Sequence, residues 1–448
     1  MKRHHLDPAA FSALASGGGG THIGALRDSR LSRHLLLMKF IADAWPGEPS
    51  ERDAALEVLA RAQERDPQCV AHLLGNPMVA AWAAWTARRI RDRASPATPL
   101  PADLGHLGAV AAVAAARSGL DADLPVYARD GRLPLPTLGD AWLPLPAFTP
   151  AHVVVHGGSL TVHGGGATLV VPDDPATDTA SWRGLRRLRG AGGQPAFSVT
   201  LDDLDPYRGG HHVPPAARLS PADVEQWQQV FGVAADLLAR ELPARAMELA
   251  SGLEVLVPLA RSHPGGIHSA TTPDSFGAFG LTLPRSAVDF VVTLVHEFQH
   301  SKLSAVLDLV PLCDASGEGT YYAPWRADPR PVSGLLQGAY AFLGVADTWR
   351  SLIGRAALRE RAVQEFADVR EQVHHTIAIL EGSAELTADG RRFVAGMRQA
   401  VDGMMAEPLS EAVVRQARAA LRRNRQAWQR RNDTAARIRR PRTRIGRM

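Results

Sequence analysis

Two histidines four positions apart are the residues of this 448-residue chain best suited to chemistry; they lie in the segment SAVDFVVTLVHEFQHSKLSA. On a helix, His296 and His300 would project from one face about one turn apart, so both imidazoles can bind one metal ion at about 2.0–2.1 Å. Glu297 can reach a metal-bound water or orient a ligand without itself binding the metal. The pentapeptide HEFQH therefore predicts a catalytic metal site.

The residues around the pentapeptide favour this interpretation over a structural one. The predicted helix is strongly apolar, with VVTLV directly before His296. Burying two histidines and a glutamate in such a helix is costly unless they are paired or liganded. We therefore favour metal ligands over two core histidines bonded to backbone groups. By contrast, His156 and His163 lie beside glycine-containing turns, and we expect them to face solvent or cap a turn.

The third metal ligand is left open by the sequence. The segment HSKLSAVLDLV lacks the His-x-x-Gly-x-x-His extension of the metzincin proteases, and the predicted helix 334–352 contains no glutamate. An aspartate or glutamate beside two histidines would give the triad typical of non-haem iron(II) oxygenases. The candidates for this ligand are Asp328, Asp308, Asp314, Glu318 and, as a weaker one, the amide of Gln337.

A proline-rich loop that carries two arginines follows the motif helix, with the sequence APWRADPRPV. Proline fixes φ and lowers the entropic cost of holding the Arg326 and Arg330 guanidinium groups in place. An arginine fork binds both oxygens of a carboxylate at once. The loop therefore either binds a carboxylate-bearing substrate or cosubstrate, or is pinned by an ion pair between Asp328 and an arginine, and both interpretations stay open.

The periodicity of apolar residues predicts the elements that position these groups. We expect an N-terminal helical region over residues 1–120, a β-rich middle segment over 121–215, and a helical catalytic region over 216–420. Residues 421–448 carry eleven arginines and one aspartate and are expected to form a disordered or extended tail. The predicted fold class is α+β and mainly helical, with the HExxH helix in the helical C-terminal half and a small antiparallel β segment in the middle.

Composition and charge restrict location and partners. No apolar run approaches the roughly 18–20 residues of a membrane helix, and the N-terminus lacks the apolar core of a secretory signal, so we expect a cytoplasmic protein without a membrane partner. The net charge is +4; because the tail carries a surplus of ten positive charges, the rest of the chain is at about −6. Such a tail is either a solvated end or a surface for an acidic partner. No RNA-binding signature or zinc-finger spacing favours nucleic acid.

Two long segments resemble a known family. HEFQHSKLSAVLDLVPL and YYAPWRADPRPVSGLLQGAYAFLGVADTW are similar to the HExxH-type peptide β-hydroxylases, which are 2-oxoglutarate-dependent iron enzymes of ribosomal peptide natural-product clusters. Upstream, LSRHLLLMKFIADA, SVTLDDLDPYRGGHHVPP and HSATTPDSFGAFGLTLP also resemble the family. The resemblance covers most of residues 4–420, and its most specific part follows residue 290.

The resemblance implies an activity that the pentapeptide alone does not. His296 and His300 would bind Fe(II), with 2-oxoglutarate and O₂ as cosubstrates, and the reaction would hydroxylate a side-chain Cβ of a precursor peptide. Arg326 and Arg330 are the candidates for the cosubstrate carboxylate, and Asp328 is the first choice for the third ligand, on position only. A radical SAM peptide maturase from the same gene cluster is a candidate partner.

Two other hypotheses compete with the hydroxylase. In a zinc metallopeptidase, a Zn(II)-bound water would attack a peptide bond and Glu297 would act as the general base. In a non-catalytic peptide-binding or scaffold protein, the motif would be a relic, and the intact His-Glu-x-x-His sequence argues against this.

Overall fold

The computed structural model describes residues 4–92, 99–190, 192, 197–261, 268–314, 316–317 and 319–439, and its side chains as far as residue 432. The chain divides into two compact units. The first consists mainly of Gly24–Asp236 and Ala250–Phe290; the second consists of Arg3–Ile23, Leu237–Leu249 and Val291–Met448. The candidate residues 296–330 belong to the second unit. The division at residues 120, 215 and 420 that composition indicates stays a prediction.

Helices fill the described part of the first 120 residues, as the sequence predicts. They are α1 Pro8–Ala15, α2 Ile23–Asp43, α3 Pro49–Arg65, α4 Pro67–Gly75, α5 Pro77–Asp92, α6 Leu100–Leu104 and α7 His106–Ser118. Local chemistry sets several starts: the Asp7 carboxylate accepts a hydrogen bond from the Ala10 amide at 2.8 Å, with Pro8 at the first helical position. Asp66 caps α4 in the same way, at 3.0 Å from the Cys69 amide.

The middle of the chain forms small antiparallel sheets, which confirms the predicted β segment. The four-stranded sheet has the order β1-β4-β5-β6, from Ala122–Ala128, Thr149–His156, Ser159–Gly164 and Ala167–Val170. Paired glycines with positive φ close its two hairpins, at residues 157–158 and 165–166. A three-stranded sheet joins β2 Arg132–Leu135, β3 Gly139–Trp142 and β7 Trp182–Gly184 in that order.

A five-stranded mixed sheet was not expected from the sequence. Its order is β11-β12-β10-β9-β8, from Ser269–Thr271, Ala278–Leu281, Val255–Pro258, Ser198–Leu201 and Arg186–Arg189. The central strand β10 is fully buried and runs parallel to both β9 and β12. Parallel neighbours need a long crossover connection. The chain between β9 and β10 contains the helices α8 Pro221–Glu241 and α9 Pro243–Gly252.

The C-terminal half is helical, as predicted. It contains α10 Ala287–Leu309, α11 Val332–Leu352, α12 Arg359–Glu381, α13 Ala388–Ala406 and α14 Glu411–Arg439, with the short antiparallel pair β13 Thr320–Tyr321 and β14 Arg330–Pro331 between α10 and α11. Helix α12 packs against α11, α13 and α14. Residues 421–439 are helical, which corrects the expectation of a disordered or extended tail for that part; residues 440–448 lie outside the described residues.

A further expectation concerns membranes. No helix in the described ranges combines the length and the apolar character that a membrane crossing requires. Cys69 and Cys313 are both free thiols.

Candidate metal centre

Helix α10 places the predicted metal ligands, and its start is encoded locally. The Ser286 hydroxyl accepts a hydrogen bond from the Asp289 amide at 3.2 Å and donates one to the Asp289 carboxylate at 2.8 Å. Further along α10, Leu294, Val295 and Phe298 are buried. The motif therefore lies in the middle of a capped, largely buried helix, where an imidazole is held with little freedom.

The two histidines of the motif face each other. The His296 Nε2 and His300 Nε2 atoms are 3.2 Å apart, with the rings nearly perpendicular at 83°. Two nitrogen ligands that each lie about 2.0–2.1 Å from one ion, at bond angles between octahedral and tetrahedral values, are about 2.8–3.4 Å apart. The pair therefore fits a single metal ion without rearrangement of α10.

Gln337 of α11 fixes the orientation of His300. The Gln337 Oε1 atom lies 3.0 Å from His300 Nδ1, and because an amide oxygen only accepts, Nδ1 carries the proton and Nε2 the lone pair. The Gln337 amide nitrogen in turn donates to Ser304 Oγ at 3.4 Å. Outer hydrogen bonds of this kind set the tautomer of metal-binding histidines. The Gln337 amide oxygen is therefore engaged with His300 in this structure, and its role as a weak candidate ligand stays a prediction.

His296 is held as a neutral base. Burial lowers the pKa of His296 to about 4, and the neighbouring His300 contributes to this shift. Its ring packs edge-on against Phe342 of α11, with ring centroids 5.0 Å apart. At neutral pH the His296 imidazole is therefore uncharged, which is the form that binds a cation.

Glu297 lies beside the histidines in a buried environment. Its side chain is only 3% exposed, and its Oε1 atom lies 3.9 Å from His296 Nε2, outside hydrogen-bond distance. A buried carboxylate at this position can accept a proton or orient a bound molecule, as the sequence predicts for Glu297.

The proline-rich loop contains the ion pair between Asp328 and an arginine that one of the two sequence interpretations predicts. Arg326 Nε donates to Asp328 Oδ1 at 3.0 Å, and Arg330 Nη1 donates to Asp328 Oδ2 at 3.2 Å. Burial raises the pKa of Asp328, but the backbone amide and the two arginines outweigh this and lower it. Both guanidinium groups therefore converge on one carboxylate, and each keeps further N–H donors for another one.

Within the described ranges, no carboxylate joins the two histidines as a third metal ligand. Among the residues that the structure describes, no three His, Cys, Asp or Glu side chains are grouped so that they could hold a metal ion. Asp328 is bound to the two arginines, and Asp308 and Asp314 are exposed. Glu318 lies outside the described residues. The residues present thus supply two imidazole ligands that fit a metal, and the third ligand stays a prediction.

Trp325 connects the loop with the histidine pair, a role that the sequence did not indicate. Its ring stacks on Phe342 at a centroid distance of 4.6 Å, and Phe342 contacts His296. A Cβ atom on Gly338 would collide with the Trp325 ring, so only glycine fits at that position of α11. The glycine inside an otherwise regular helical pattern is the signal that marks this close approach.

Helix α14 fastens the same loop. Tyr322 donates to Asn424 Oδ1 at 2.7 Å, and the amide nitrogens of Asn424 and Asn432 donate to the carbonyls of Pro324 at 2.9 Å and Ala327 at 3.1 Å. The Tyr322 ring also packs against that of Trp428, at 5.4 Å. Asn424, Trp428 and Asn432 are spaced by four residues and so share one helix face. That spacing, within the arginine-rich segment, was the available signal for this contact.

Comparison with known proteins leaves the family open. No family model matches the chain, and no curated protein matches it either.

His156 and His163, which the sequence analysis did not favour as ligands, lie on the four-stranded sheet. There His156 contacts Asp121 and His163 contacts Thr168.

Proposed function

We propose that the protein is an iron(II)- and 2-oxoglutarate-dependent hydroxylase that acts on a side-chain Cβ of a ribosomally made peptide. The observation that carries the proposal is the His296–His300 pair, whose Nε2 atoms lie 3.2 Å apart while Gln337 fixes the His300 tautomer. The resemblance of the surrounding segments to the HExxH-type peptide β-hydroxylases supports iron as the metal. A precursor peptide as substrate, a radical SAM maturase as partner and the cytoplasm as location are parts of the same proposal.

The arginine loop supports 2-oxoglutarate as the cosubstrate. Arg326 and Arg330 already converge on a carboxylate, that of Asp328, and a cosubstrate carboxylate could take or share this position. The stack of Trp325 on Phe342 joins the loop to His296. The same two rings would exclude water from the reacting atoms.

Each of the site residues would have a separate role in the proposed reaction. His296 and His300 would hold the iron, Glu297 would orient a ligand or the substrate, and Arg326 with Arg330 would bind the 2-oxoglutarate carboxylate. When bound, the iron centre supplies the oxidising power to replace a C–H bond by C–O. Overall, one oxygen atom of O₂ enters the peptide and the other enters succinate, while 2-oxoglutarate loses CO₂.

A zinc metallopeptidase is the second candidate function, and the placement of Glu297 favours it. A carboxylate that is 3% exposed and 3.9 Å from His296 Nε2 is suited to accept the proton of an attacking water. Catalytic zinc usually has three protein ligands, as has the iron triad. Because the described residues supply two of the three ligands that either function needs, the ligand count does not discriminate between the two functions.

Anaerobic spectroscopy tests the hydroxylase directly. The metal-free protein is loaded with Fe(II) and titrated with 2-oxoglutarate while the visible spectrum is recorded. We expect a weak charge-transfer band that saturates with 2-oxoglutarate, is absent in His296→Ala and persists in the control His156→Ala, whose histidine is 87% exposed. Absence of the band, together with zinc retained through purification, would contradict the hydroxylase and support the peptidase.

Substitution of Glu297 separates the two reactions independently. Glu297→Gln removes the base that a peptidase needs and should abolish peptide cleavage. A hydroxylase has no water to deprotonate, so the same variant should retain part of its 2-oxoglutarate-dependent turnover. Turnover that is equal with and without 2-oxoglutarate would exclude the hydroxylase.

A further inference from the structure

The second compact unit contains a ligand-sized cavity that does not include the histidine pair. Its volume is about 720 Å³, within the range of small-molecule sites. The glycine-rich segment 16–21 lines one side, and α9, α11 and α13 contribute the remaining walls. The proposed hydroxylase reaction uses none of these lining residues.

A continuous chain of ion pairs runs along one side of this cavity and supplies the charged residues of its lining. Its members alternate in charge: Lys302, Glu248, Arg245, Asp347, Arg350 and Glu407. The Arg245 and Glu248 side chains are only 9% and 4% exposed. Four members line the cavity itself: Arg245, Glu248, Asp347 and Arg350. Because these two cations and two anions balance, the wall has no net charge that would select a simple cation or a simple anion. Such a wall suits a ligand that carries both charges.

Glu248 has one oxygen that the protein leaves unsatisfied. Its Oε2 atom accepts from Arg245 Nη1 at 3.0 Å and from Lys302 Nζ at 2.9 Å. Its Oε1 atom accepts no hydrogen bond within the part of the chain that the structure describes, although the side chain is almost completely buried and lines the cavity. Because this oxygen is open to the cavity and not fully enclosed by protein, it keeps its capacity to accept a hydrogen bond from a molecule there. An ammonium group in the cavity would supply the missing donor.

The glycine-rich segment provides unsatisfied donors on the same cavity. The backbone amides of Gly19, Gly20 and Thr21 have no acceptor among the described residues, and all three residues line the cavity. Gly19 adopts a left-handed conformation with φ of 96°. Successive free amides in such a segment bind carboxylate oxygens. The cavity thus offers acceptor and donor groups for the two ends of a zwitterion.

An apolar surface completes the lining. Met247 and Leu343 both line the cavity, and Met247 is 52% exposed, which is high for a large apolar side chain. The flexible thioether of methionine adapts to ligands of different shape. The cavity therefore combines a charged end with an apolar end.

We propose that this cavity binds a small zwitterion with an apolar side chain, as found in a free α-amino acid or a short peptide. The ammonium group lies at Glu248 Oε1, the carboxylate at the amides of residues 19–21, and the apolar side chain against Met247 and Leu343. The proposal does not depend on the identity of the metal or on the hydroxylase reaction.

Calorimetric titration of the full-length, metal-free protein tests the ligand class. The probes are L-leucine and L-leucylglycine, with N-acetyl-L-leucine and L-leucinamide as analogues that lack one charge each. We expect at least one zwitterion to bind, and each singly charged analogue to bind about tenfold more weakly or worse, since a buried group is left unpaired. If leucine binds more tightly the ligand is a free amino acid, and if the dipeptide binds more tightly it is a short peptide. No heat from either zwitterion up to about 10 mM, or equal binding of the acetylated analogue, overturns the proposal.

A plugging variant locates the ligand without disturbing the ion pairs. Gly403 of α13 lines the cavity, and a Cβ atom there meets open space, so Gly403→Leu should fold and fill part of the cavity. Ala395→Leu, at an exposed position of the same helix, is the matched control. We expect Gly403→Leu and Glu248→Gln each to weaken zwitterion binding about tenfold, with Ala395→Leu unchanged. Wild-type affinity in Gly403→Leu would place the ligand elsewhere and refute the proposal.

Discussion

The two faces of helix α10 bury polar groups in opposite ways. Lys302 is completely buried, and its ammonium group donates to Glu248 Oε2 at 2.9 Å and to the backbone carbonyls of residues 17 and 18 at 3.1 and 2.9 Å. His296 and His300, on the other face, direct their Nε2 atoms at each other. A buried polar group whose hydrogen bonds all end within the protein stabilises the fold. Two imidazole nitrogens that converge in this way instead indicate a place for a ligand.

The side chains on the two faces also differ in charge at neutral pH. Burial lowers the pKa of Lys302 to about 8, with Glu248 opposing this shift, so the ammonium form predominates at neutral pH. Burial lowers the pKa of His296 to about 4, so that imidazole is neutral. The helix thus holds a paired cation on its structural face and a free base on its candidate metal face.

Removal of a histidine should have the largest effect on metal binding. His296→Ala leaves a single imidazole, and we expect the affinity for Fe(II) or Zn(II) to fall at least about a hundredfold, to the point where stoichiometric metal is lost on dialysis. Elemental analysis and competition with a chelator measure this. His156→Ala should retain the wild-type metal content. Full metal occupancy in His296→Ala would disprove the two-histidine site.

Removal of the cation on the opposite face should affect stability and not metal chemistry. Lys302→Met removes the donor to the Gly18 carbonyl and one of the two donors to Glu248 Oε2. The Gly17 carbonyl keeps Arg245 as a donor. The free energy of unfolding should therefore fall by about 2–3 kcal/mol. Denaturant unfolding of the metal-free protein gives this value. Lys39→Met is the control, because the Lys39 side chain is 69% exposed, and it should change stability by less than about 0.5 kcal/mol. A loss below about 1 kcal/mol in Lys302→Met would mean that this face does not stabilise the fold.

Gln337 should affect the affinity for the metal through its hydrogen bond to His300. Gln337→Leu removes the acceptor for His300 Nδ1–H, and loss of such an outer hydrogen bond typically weakens metal affinity about 10–100-fold. Gln337→Glu keeps an acceptor oxygen and should restore most of the affinity. If both variants bind metal as tightly as the wild type, the His300 orientation is set by packing alone.

Low pH should destabilise the metal-free protein through protonation of His296. The pKa of His296 is lower in the folded than in the unfolded chain. Between about pH 6.5 and 4 the unfolded chain therefore binds a proton that the folded chain does not, and the free energy of unfolding decreases as the pH decreases. We expect His296 to account for about 1–2 kcal/mol of this loss. His296→Leu should show a shallower dependence over the same window when unfolding is measured at several pH values. Identical slopes would contradict the shift.

The contact between α14 and the loop should give the smallest effect. Asn424→Ala removes the hydrogen bonds to Tyr322 and to the Pro324 carbonyl and should cost about 1 kcal/mol of stability. If the loop binds 2-oxoglutarate, its apparent affinity should drop a few-fold while metal affinity is unchanged. Arg422→Ala, an exposed residue of the same helix, is the control. Equal behaviour of the two variants would mean that α14 does not position the loop.

Part of this structure was predictable because its causes are local. The four-residue spacing of His296 and His300 becomes proximity through the period of an α-helix alone. Asp7 and Ser286 cap helices through hydrogen bonds that span three residues. Paired glycines at 157–158 and 165–166 permit the positive φ values that close the predicted hairpins. Helix content, helix ends and the antiparallel segment follow from such short-range effects.

The remaining features depend on packing between distant parts of the chain. Gln337 meets His300 across 37 residues, and Lys302 meets the Gly17 carbonyl across 285. No local period encodes which of several polar residues will meet after folding, so the sequence left Asp328 and Gln337 among several candidate third ligands, and these stay predictions. The sequence by itself determined that α10 presents two histidines together. Only the tertiary structure decided which of its buried polar groups are satisfied by the protein, because each partner comes from another helix or loop.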